Sequence, residues 1–257
     1  MGQKDCGENI KRKSRKWKIA AAALCSAAIL LFLGCAVYVG DYYHADSIAE
    51  KALVPDEEVN VAYPRDGIIV FSPVEPVAGL IFYPGGKVEY TAYAPLLRGL
   101  AEQGILCVLI RMPWNLAVLD SGAADGIQEE FPEIENWYIG GHSLGGSMAG
   151  SYAAEHTEEY KGIVLLAAYV TDDIRQSGLE VISIYGDRDE VLDMGKYTDY
   201  LANLPEDMEE CVIAEGCHAQ FGSYGAQKGD GTPGISGEEQ RAITIECIAD
   251  WVGEQEK

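Results

Sequence analysis

Short, largely apolar segments alternate with amphipathic stretches through most of this chain, and no other feature constrains its fold as strongly. After residue 58, the apolar segments occupy residues 67–71, 79–83, 105–110, 137–140, 162–169, 181–185 and 210–215. Helical periodicity is found in stretches that begin at Thr91, Leu144, Asp193 and near Ser236, where the sequence SGEE forms a capping box. Strands that carry apolar residues at nearly every position must be covered on both faces. We therefore predict an α/β fold with a mostly parallel sheet and helices on both faces.

Charge is divided unevenly between the first forty residues and the remainder. Residues 1–40 carry seven Lys/Arg and two Asp/Glu, a net charge of +5, whereas residues 41–257 carry twelve against thirty-nine, a net charge of −27. A domain this acidic repels the phosphate backbone of nucleic acids, so we expect no nucleic-acid partner.

A run of 21 uncharged, mostly apolar residues, 19–39, follows the basic segment 1–18. As a helix this run is long enough to cross the hydrocarbon core of a bilayer, and the basic residues before it favour a cytoplasmic N-terminus. We expect a single-pass anchor in the cell membrane at 19–39, a polar stalk at 40–58, and a domain at 59–257 on the extracytoplasmic side. A cleaved signal peptide is the alternative, because residues 34–36 resemble a signal-peptidase site.

Four cysteines lie beyond the predicted stalk, at Cys107, Cys211, Cys217 and Cys247. Cys107 falls within an apolar strand, where a buried free thiol is expected. Cys211 and Cys217 fall on one predicted strand, about 20 Å apart, which is beyond the reach of a disulfide. The sequence leaves undecided whether Cys217 and Cys247 form a disulfide.

Residues 138–146 read YIGGHSLGG and match the G-x-S-x-G pattern of a nucleophile elbow, with Ser143 at its centre. The segment follows a predicted strand and opens a predicted helix, which is the context that an elbow requires. Glycines beside the serine let the neighbouring backbone pass close to it. Because this pattern also arises by chance in a glycine-rich chain, a base, an acid and an oxyanion hole must support it.

A serine hydroxyl needs a general base, and the chain has four histidines. His44 lies beside the predicted membrane segment, His142 is the variable residue of the elbow, and His156 follows Ser143 by about three helical turns. His218 remains, just after the last predicted strand. Loops at the carboxyl ends of parallel strands lie at one edge of the sheet, so we expect His218 to reach Ser143 as the base.

An acid must orient that base, and three acidic residues follow the strand at 181–185: Asp187, Asp189 and Glu190. The order of serine, acid and histidine along the chain is the order found in α/β-hydrolases, whereas serine proteases of other folds use different orders. The residues alone leave the choice among the three acids open.

The oxyanion formed in acyl transfer needs backbone N–H donors. The Leu144 N–H, directly after Ser143 and at the start of a helix, is one candidate. The other is expected in the loop after the strand at 79–83, where Gly85 and Gly86 lie; we assign it to Gly86.

The chain from Val59 to Val252 resembles the lidless α/β-hydrolase family sometimes called alpha/beta hydrolase fold-5. The stretches that carry the resemblance are LIFYPGGKVEYTAYAPLL, RMPWNLAVL, IGGHSLGGSMAG, LLAAY and GCHAQFGSYGAQKGDG. The resemblance implies a Ser143–Asp189–His218 triad and no cap domain, and the short connection between 169 and 181 agrees with an open site. Dienelactone hydrolases are relatives with cysteine at the elbow, where this chain has serine.

Other chemistries have no support in the sequence. The histidines show no zinc-binding spacing, the GDG at 229–231 lacks the acidic spacing of a calcium loop, and the glycines near Ser143 do not form a dinucleotide-binding motif. We expect no metal and no cofactor.

These features together predict a serine hydrolase that acts on small-molecule esters through a covalent acyl-enzyme. Amide or thioester substrates stay possible, and a membrane-anchored, non-catalytic binding module of the same fold is the alternative. The sequence gives no indication of an oligomeric state.

Overall fold

The structure is a computed structural model that describes the backbone of residues 3–255 and the side chains of residues 17–18 and 24–255. The chain divides into two compact units, Met1–Asp41 and Tyr42–Lys257. The first unit contains helix α1 (Gln3–Gly40). The predicted anchor at 19–39 includes residues 19–23, which lie outside the described side chains. Within the described part of the chain, no helix meets both the length and the apolarity that crossing a membrane requires.

The second unit is built on one eight-stranded sheet in the order β1-β2-β4-β3-β5-β6-β7-β8. The strands are β1 (Val59–Ala62), β2 (Ile68–Pro73), β3 (Ala78–Tyr83), β4 (Ile105–Ile110), β5 (Trp137–His142), β6 (Gly162–Leu166), β7 (Glu180–Gly186) and β8 (Glu209–Ile213). β2 pairs antiparallel with β1 and β4, and the remaining neighbours are parallel. The mostly parallel sheet is thereby confirmed, with β1 as an additional strand.

Helices cover both faces of this sheet. They are α2 (Ser47–Ala52), α3 (Ala94–Glu102), α4 (Leu144–Glu155), α5 (Met194–Tyr200) and α6 (Gly237–Gln255). α3 and α6 contribute Leu96, Leu100 and Trp251 to one buried cluster, and α4 contributes Tyr152 and Ala153 to the cluster on the opposite face. The predicted capping box starts α6, because the Glu239 N–H donates to Ser236 Oγ and the Ser236 N–H donates to the Glu239 carboxylate.

Four loops that matter for function meet at one edge of the sheet. β3, β5, β7 and β8 run parallel, so the residues that follow Tyr83, His142, Gly186 and Ile213 emerge on the same side. β6 and β7 are joined by residues 167–179, which contain neither helix nor strand. The connection is too short for a cap domain, so the expectation of a lidless fold is confirmed.

Residues 42–58, expected to form a polar stalk, instead pack on the globular unit. Tyr43 exchanges backbone hydrogen bonds with Lys87 and Glu89, each 2.8 Å long. α2 buries Ala49 and Ala52, which are 0% and 7% exposed. These two alanines form the apolar face of a short amphipathic helix. The many charged residues around them made the segment look like a polar stalk in the sequence.

The disulfide pattern also differs from the alternative considered above. Cys211 on β8 is bonded to Cys247 on α6, with a Cα–Cα distance of 6.8 Å, and Cys217 is a buried free thiol. A Cys217–Cys247 bridge is therefore wrong. β8 ends at Ile213, so Cys217 lies beyond the strand on which it was placed.

Candidate active site

Ser143 lies on a strained turn between β5 and α4. Its backbone angles, φ 52° and ψ −123°, are in a region that residues other than glycine rarely adopt, at a cost of about 1–3 kcal/mol. Its N–H donates to the Leu166 carbonyl at 2.9 Å. A Cβ on Gly145 would lie 2.7 Å from the Pro84 carbonyl carbon, so a larger residue does not fit. Strand, turn and helix have the arrangement that the G-x-S-x-G pattern predicts.

His218 and Asp189 form a buried pair. The Asp189 Oδ2 atom lies 2.7 Å from His218 Nδ1, and the two side chains are 1% and 2% exposed, respectively. The other carboxylate oxygen, Oδ1, accepts the N–H groups of Val191 and Leu192, each at 2.8 Å. A carboxylate at Nδ1 holds the imidazole with its proton on that nitrogen, which leaves Nε2 unprotonated and able to accept a proton.

The other two acids of the same turn face elsewhere. The Asp187 carboxylate accepts the Glu215 N–H at 2.6 Å and so closes the turn after β8. Asp187 and Glu190 are both exposed. Asp189 is thus the acid of this turn that the structure brings to His218.

Ser143 and His218 line one cavity of about 350 Å³. The loop after β6, residues 167–169, and the segment after β7, residues 191–196, form its other walls. Ser147, one turn further along α4, and Lys196 also line it. A cavity of this volume is at the small end of the range for ligand sites.

The oxyanion loop, residues 84–87, lies beside the first turn of α4. A Cβ on Gly86 would be 3.0 Å from the Leu144 side chain, so the two predicted oxyanion donors are neighbours. The Gly85 N–H donates to the Tyr93 hydroxyl at 3.0 Å. The Gly86 N–H has no acceptor among the described residues, and the Leu144 N–H belongs to a first helical turn, which has no intrahelical acceptor.

The remaining histidines are engaged away from this cavity. His44 lies 3.4 Å from a Glu89 oxygen, and His156 lies 3.0 Å from a Glu159 oxygen. His142 is buried behind His218, with 4.5 Å between the ring centroids. Among the described side chains, no group of three His, Cys, Asp or Glu residues is arranged to hold a metal ion.

Asp230 supports the loop that carries His218, a contact that sequence reasoning missed. Its carboxylate accepts the His218 N–H at 3.2 Å and the Ala219 N–H at 2.8 Å. Asp230 is the central residue of the GDG segment, which the sequence analysis considered only as a calcium loop. An aspartate between two glycines is a common turn, so its partner across the loop was not predictable from its neighbours.

Solved structures of several hydrolases share this fold. The dienelactone hydrolase of Anabaena variabilis matches with a TM-score of 0.55 at 15% identity, over 78% of this chain and 98% of that chain. The naproxen esterase of Bacillus subtilis matches with a TM-score of 0.55 at 15% identity, over 80% and 94%. The esterase domain of a Rhodothermus marinus protein matches with a TM-score of 0.55 at 14% identity, over 72% of this chain and 90% of that chain. At these identities the likeness concerns the fold alone. A comparison with curated protein sequences finds no match.

The sequence itself places the chain in a family. Residues 79–242 match the sequence model of the Alpha/beta hydrolase family, and this range holds the elbow, the oxyanion loop, Asp189 and His218. The match covers more than half of the chain, and the protein therefore belongs to the alpha/beta hydrolase family.

Proposed function

We propose that the protein is a serine hydrolase of carboxylic esters, with Ser143 as nucleophile, His218 as general base and Asp189 as the acid that orients it. The observation that carries the proposal is the buried 2.7 Å contact between Asp189 and His218, because His218 lines the same cavity as Ser143 on its strained turn. Strain of this kind persists where the surrounding structure holds it, as it does at nucleophile elbows.

The reaction proceeds by acyl transfer. Ser143 Oγ attacks the ester carbonyl while its proton passes to His218 Nε2, and the carbonyl oxygen becomes an oxyanion. The N–H groups of Gly86 and Leu144 donate to that oxyanion. The imidazolium then returns the proton to the departing alcohol, leaving an ester on Ser143. Water, deprotonated by His218, attacks this acyl-enzyme, and the acid leaves.

Small esters are the substrate class that we propose. The cavity of about 350 Å³ and the short connection between β6 and β7 support an open site for a small acyl group. The dienelactone hydrolase and the naproxen esterase of the same fold act, by their names, on a lactone and an ester. Serine at the elbow, where dienelactone hydrolases carry cysteine, favours a serine esterase over a dienelactone hydrolase.

We further propose that residues 19–39 anchor the protein in the cell membrane, with the catalytic domain on the extracytoplasmic side. Seven Lys/Arg precede residues 19–39, whereas Lys51 is the one basic residue among the twenty that follow, and this asymmetry supports the orientation. The Cys211–Cys247 bond also favours it, because disulfides persist in oxidising compartments.

Hydrolysis of p-nitrophenyl esters from acetate to decanoate tests the proposal. We expect turnover of the short esters, and a loss of about a thousandfold or more in kcat for Ser143→Ala. Ser147→Ala is the matched control, because Ser147 lines the same cavity one turn later; its kcat should stay within about threefold of wild type.

Wild-type rates from Ser143→Ala would overturn the assignment of the nucleophile. Turnover confined to amides or thioesters would redirect the substrate class, and no turnover of any acyl compound would favour a binding module.

A further inference from the structure

Buried polar side chains link the oxyanion loop to the elbow on the side away from the cavity. The Tyr93 hydroxyl accepts the Gly85 N–H at 3.0 Å and lies 2.8 Å from His142 Nδ1. Tyr93 is 0% and His142 1% exposed. A Cβ on Gly85 would lie 2.7 Å from both the Tyr93 hydroxyl and His142 Nδ1. The oxyanion loop is therefore packed directly against these two side chains.

Pairing the hydroxyl proton of Tyr93 favours one tautomer of His142. The Gly85 N–H is itself a donor, so His142 Nδ1 is the acceptor that this proton can reach. His142 Nδ1 is then unprotonated and the ring proton is on Nε2. Nε2 is buried and has no hydrogen-bond partner among the described residues.

His142 also contacts the catalytic histidine. Its ring is tilted against that of His218, with centroids 4.5 Å apart. Burial, together with the charge that His218 can carry, lowers the pKa of His142 well below its ordinary value, and the nearby His218 main chain opposes this only in part. A neutral His142 leaves the positive charge of the reaction to His218, beside Asp189.

We propose that Tyr93 and His142 are a positioning pair that holds the Gly86 N–H toward the developing oxyanion and supports the ring of His218 from behind. The inference rests on the proposed hydrolase function and concerns residues that do not touch the substrate. Gly85 is the connection: its N–H donates to Tyr93, while the next N–H along the chain, that of Gly86, has no backbone acceptor among the described residues and is available to the oxyanion. His142 directly precedes Ser143 in the elbow. The same turn therefore positions the nucleophile and, through His142, the oxyanion loop.

Kinetics of short p-nitrophenyl esters test the pair. Tyr93→Phe keeps the ring and His142→Phe replaces the imidazole by a larger phenyl ring, and both remove the hydrogen bond. We expect kcat to fall about tenfold to a hundredfold with KM within about twofold, with melting temperatures to verify folding. His142→Asn places an amide oxygen near the position of Nδ1, so it should recover most of the loss. Tyr90→Phe, on the same 3₁₀ helix as Tyr93, is the matched control and should behave as wild type.

The double variant Tyr93→Phe/His142→Phe separates a pair from two independent defects. We expect it to be no slower than the slower single variant, because either change alone breaks the link. The proposal would be overturned if the loss in kcat of the double variant equalled the product of the two single losses. It would also be overturned if both single variants had kcat within about twofold of wild type. An equal loss for His142→Asn and His142→Phe would overturn it as well, since the acceptor would then be irrelevant.

Nitrogen NMR of the histidine rings gives a readout that does not depend on turnover. We expect His142 to remain neutral with its proton on Nε2 between about pH 6 and pH 8, and Tyr93→Phe to change the Nδ1 shift. His142→Asn identifies the signal by removing it. A proton on Nδ1 would overturn the proposal. If wild-type protein hydrolyses no ester, the proposed function fails, whereas active wild type with unaffected variants contradicts the positioning pair alone.

Discussion

Asp187 and Asp189 are separated by one residue, yet their carboxylates meet different partners. Asp189 contacts His218 Nδ1 in a buried site, whereas Asp187 is exposed and accepts the Glu215 N–H. We expect Asp189→Asn to lower kcat on ester substrates about ten-thousandfold, because His218 would then adopt the wrong tautomer. Asp187→Asn should lower kcat about tenfold or less. Steady-state rates, with melting temperatures to verify folding, measure both; the opposite ranking would assign the orienting acid to Asp187.

His142 should make the stability of the protein depend on pH. Its pKa is lowered in the folded state by burial and by His218, while in the unfolded chain it has an ordinary value of about 6.5. Below that pH the unfolded state takes up a proton that the folded state does not. The free energy of unfolding should therefore fall on acidification from about pH 7.5 to pH 5.5, with a contribution from this residue on the order of 1 kcal/mol.

Urea unfolding of wild type and His142→Asn over that pH range measures this contribution. The wild type should lose more stability than the variant on acidification, by on the order of 1 kcal/mol, since only the wild type has the buried imidazole. Parallel curves for wild type and His142→Asn would mean that His142 titrates normally in the folded protein.

At the scale of single residues, the sequence predicts those whose proposed role follows from a local pattern. Ser143 was predictable from its glycines, and His218 from its place after a strand. Asp189 was selected through the family resemblance, and the structure adds its contact with His218. Tyr93 and Asp230 were missed, because a tyrosine in a helix and an aspartate in a turn are ordinary until the fold brings their partners close.

The elbow, as an element, depends on the absence of a side chain at Gly145. A Cβ there would lie 2.7 Å from the Pro84 carbonyl carbon, and the backbone on both sides is fixed. We expect Gly145→Ala to lower the free energy of unfolding by about 3 kcal/mol or more. Gly253→Ala on α6 has no atom within 4 Å of its new Cβ and should raise stability by about 0.5 kcal/mol. Chemical denaturation compares the two, and a tolerated Gly145→Ala would contradict the close approach.

Element prediction succeeded where burial is uniform along a segment. β4 lies at 105–110 as predicted, because each of its residues is buried between two helical layers. β1 (Val59–Ala62) was missed, since it has four residues of mixed burial and borders the sheet. α2 was missed for a similar reason, because its two buried alanines give a weak apolar signal beside charged neighbours.

For the whole molecule, the strongest untested prediction is its topology. Seven Lys/Arg lie in residues 1–18, before the uncharged run 19–39, and Lys51 is the one basic residue in 40–59, so we expect the domain to face outward from the cell membrane. Protease added to intact cells should degrade the domain, while a cytoplasmic marker protein stays whole. Protection until lysis would contradict the orientation, and a mature N-terminus near residue 37 would indicate a cleaved signal instead.

We propose that the fold activates one serine, Ser143, and a fluorophosphonate probe reports on that activation without a substrate. The probe forms a stable bond with a serine whose proton is accepted by a base and whose oxyanion is stabilised. We predict one adduct per chain on native wild-type protein, located by peptide mass spectrometry to the segment around Ser143, and none on Ser143→Ala or on denatured protein. An adduct on another residue, equal labelling of Ser143→Ala, or an unlabelled wild type would show that Ser143 is not an activated nucleophile.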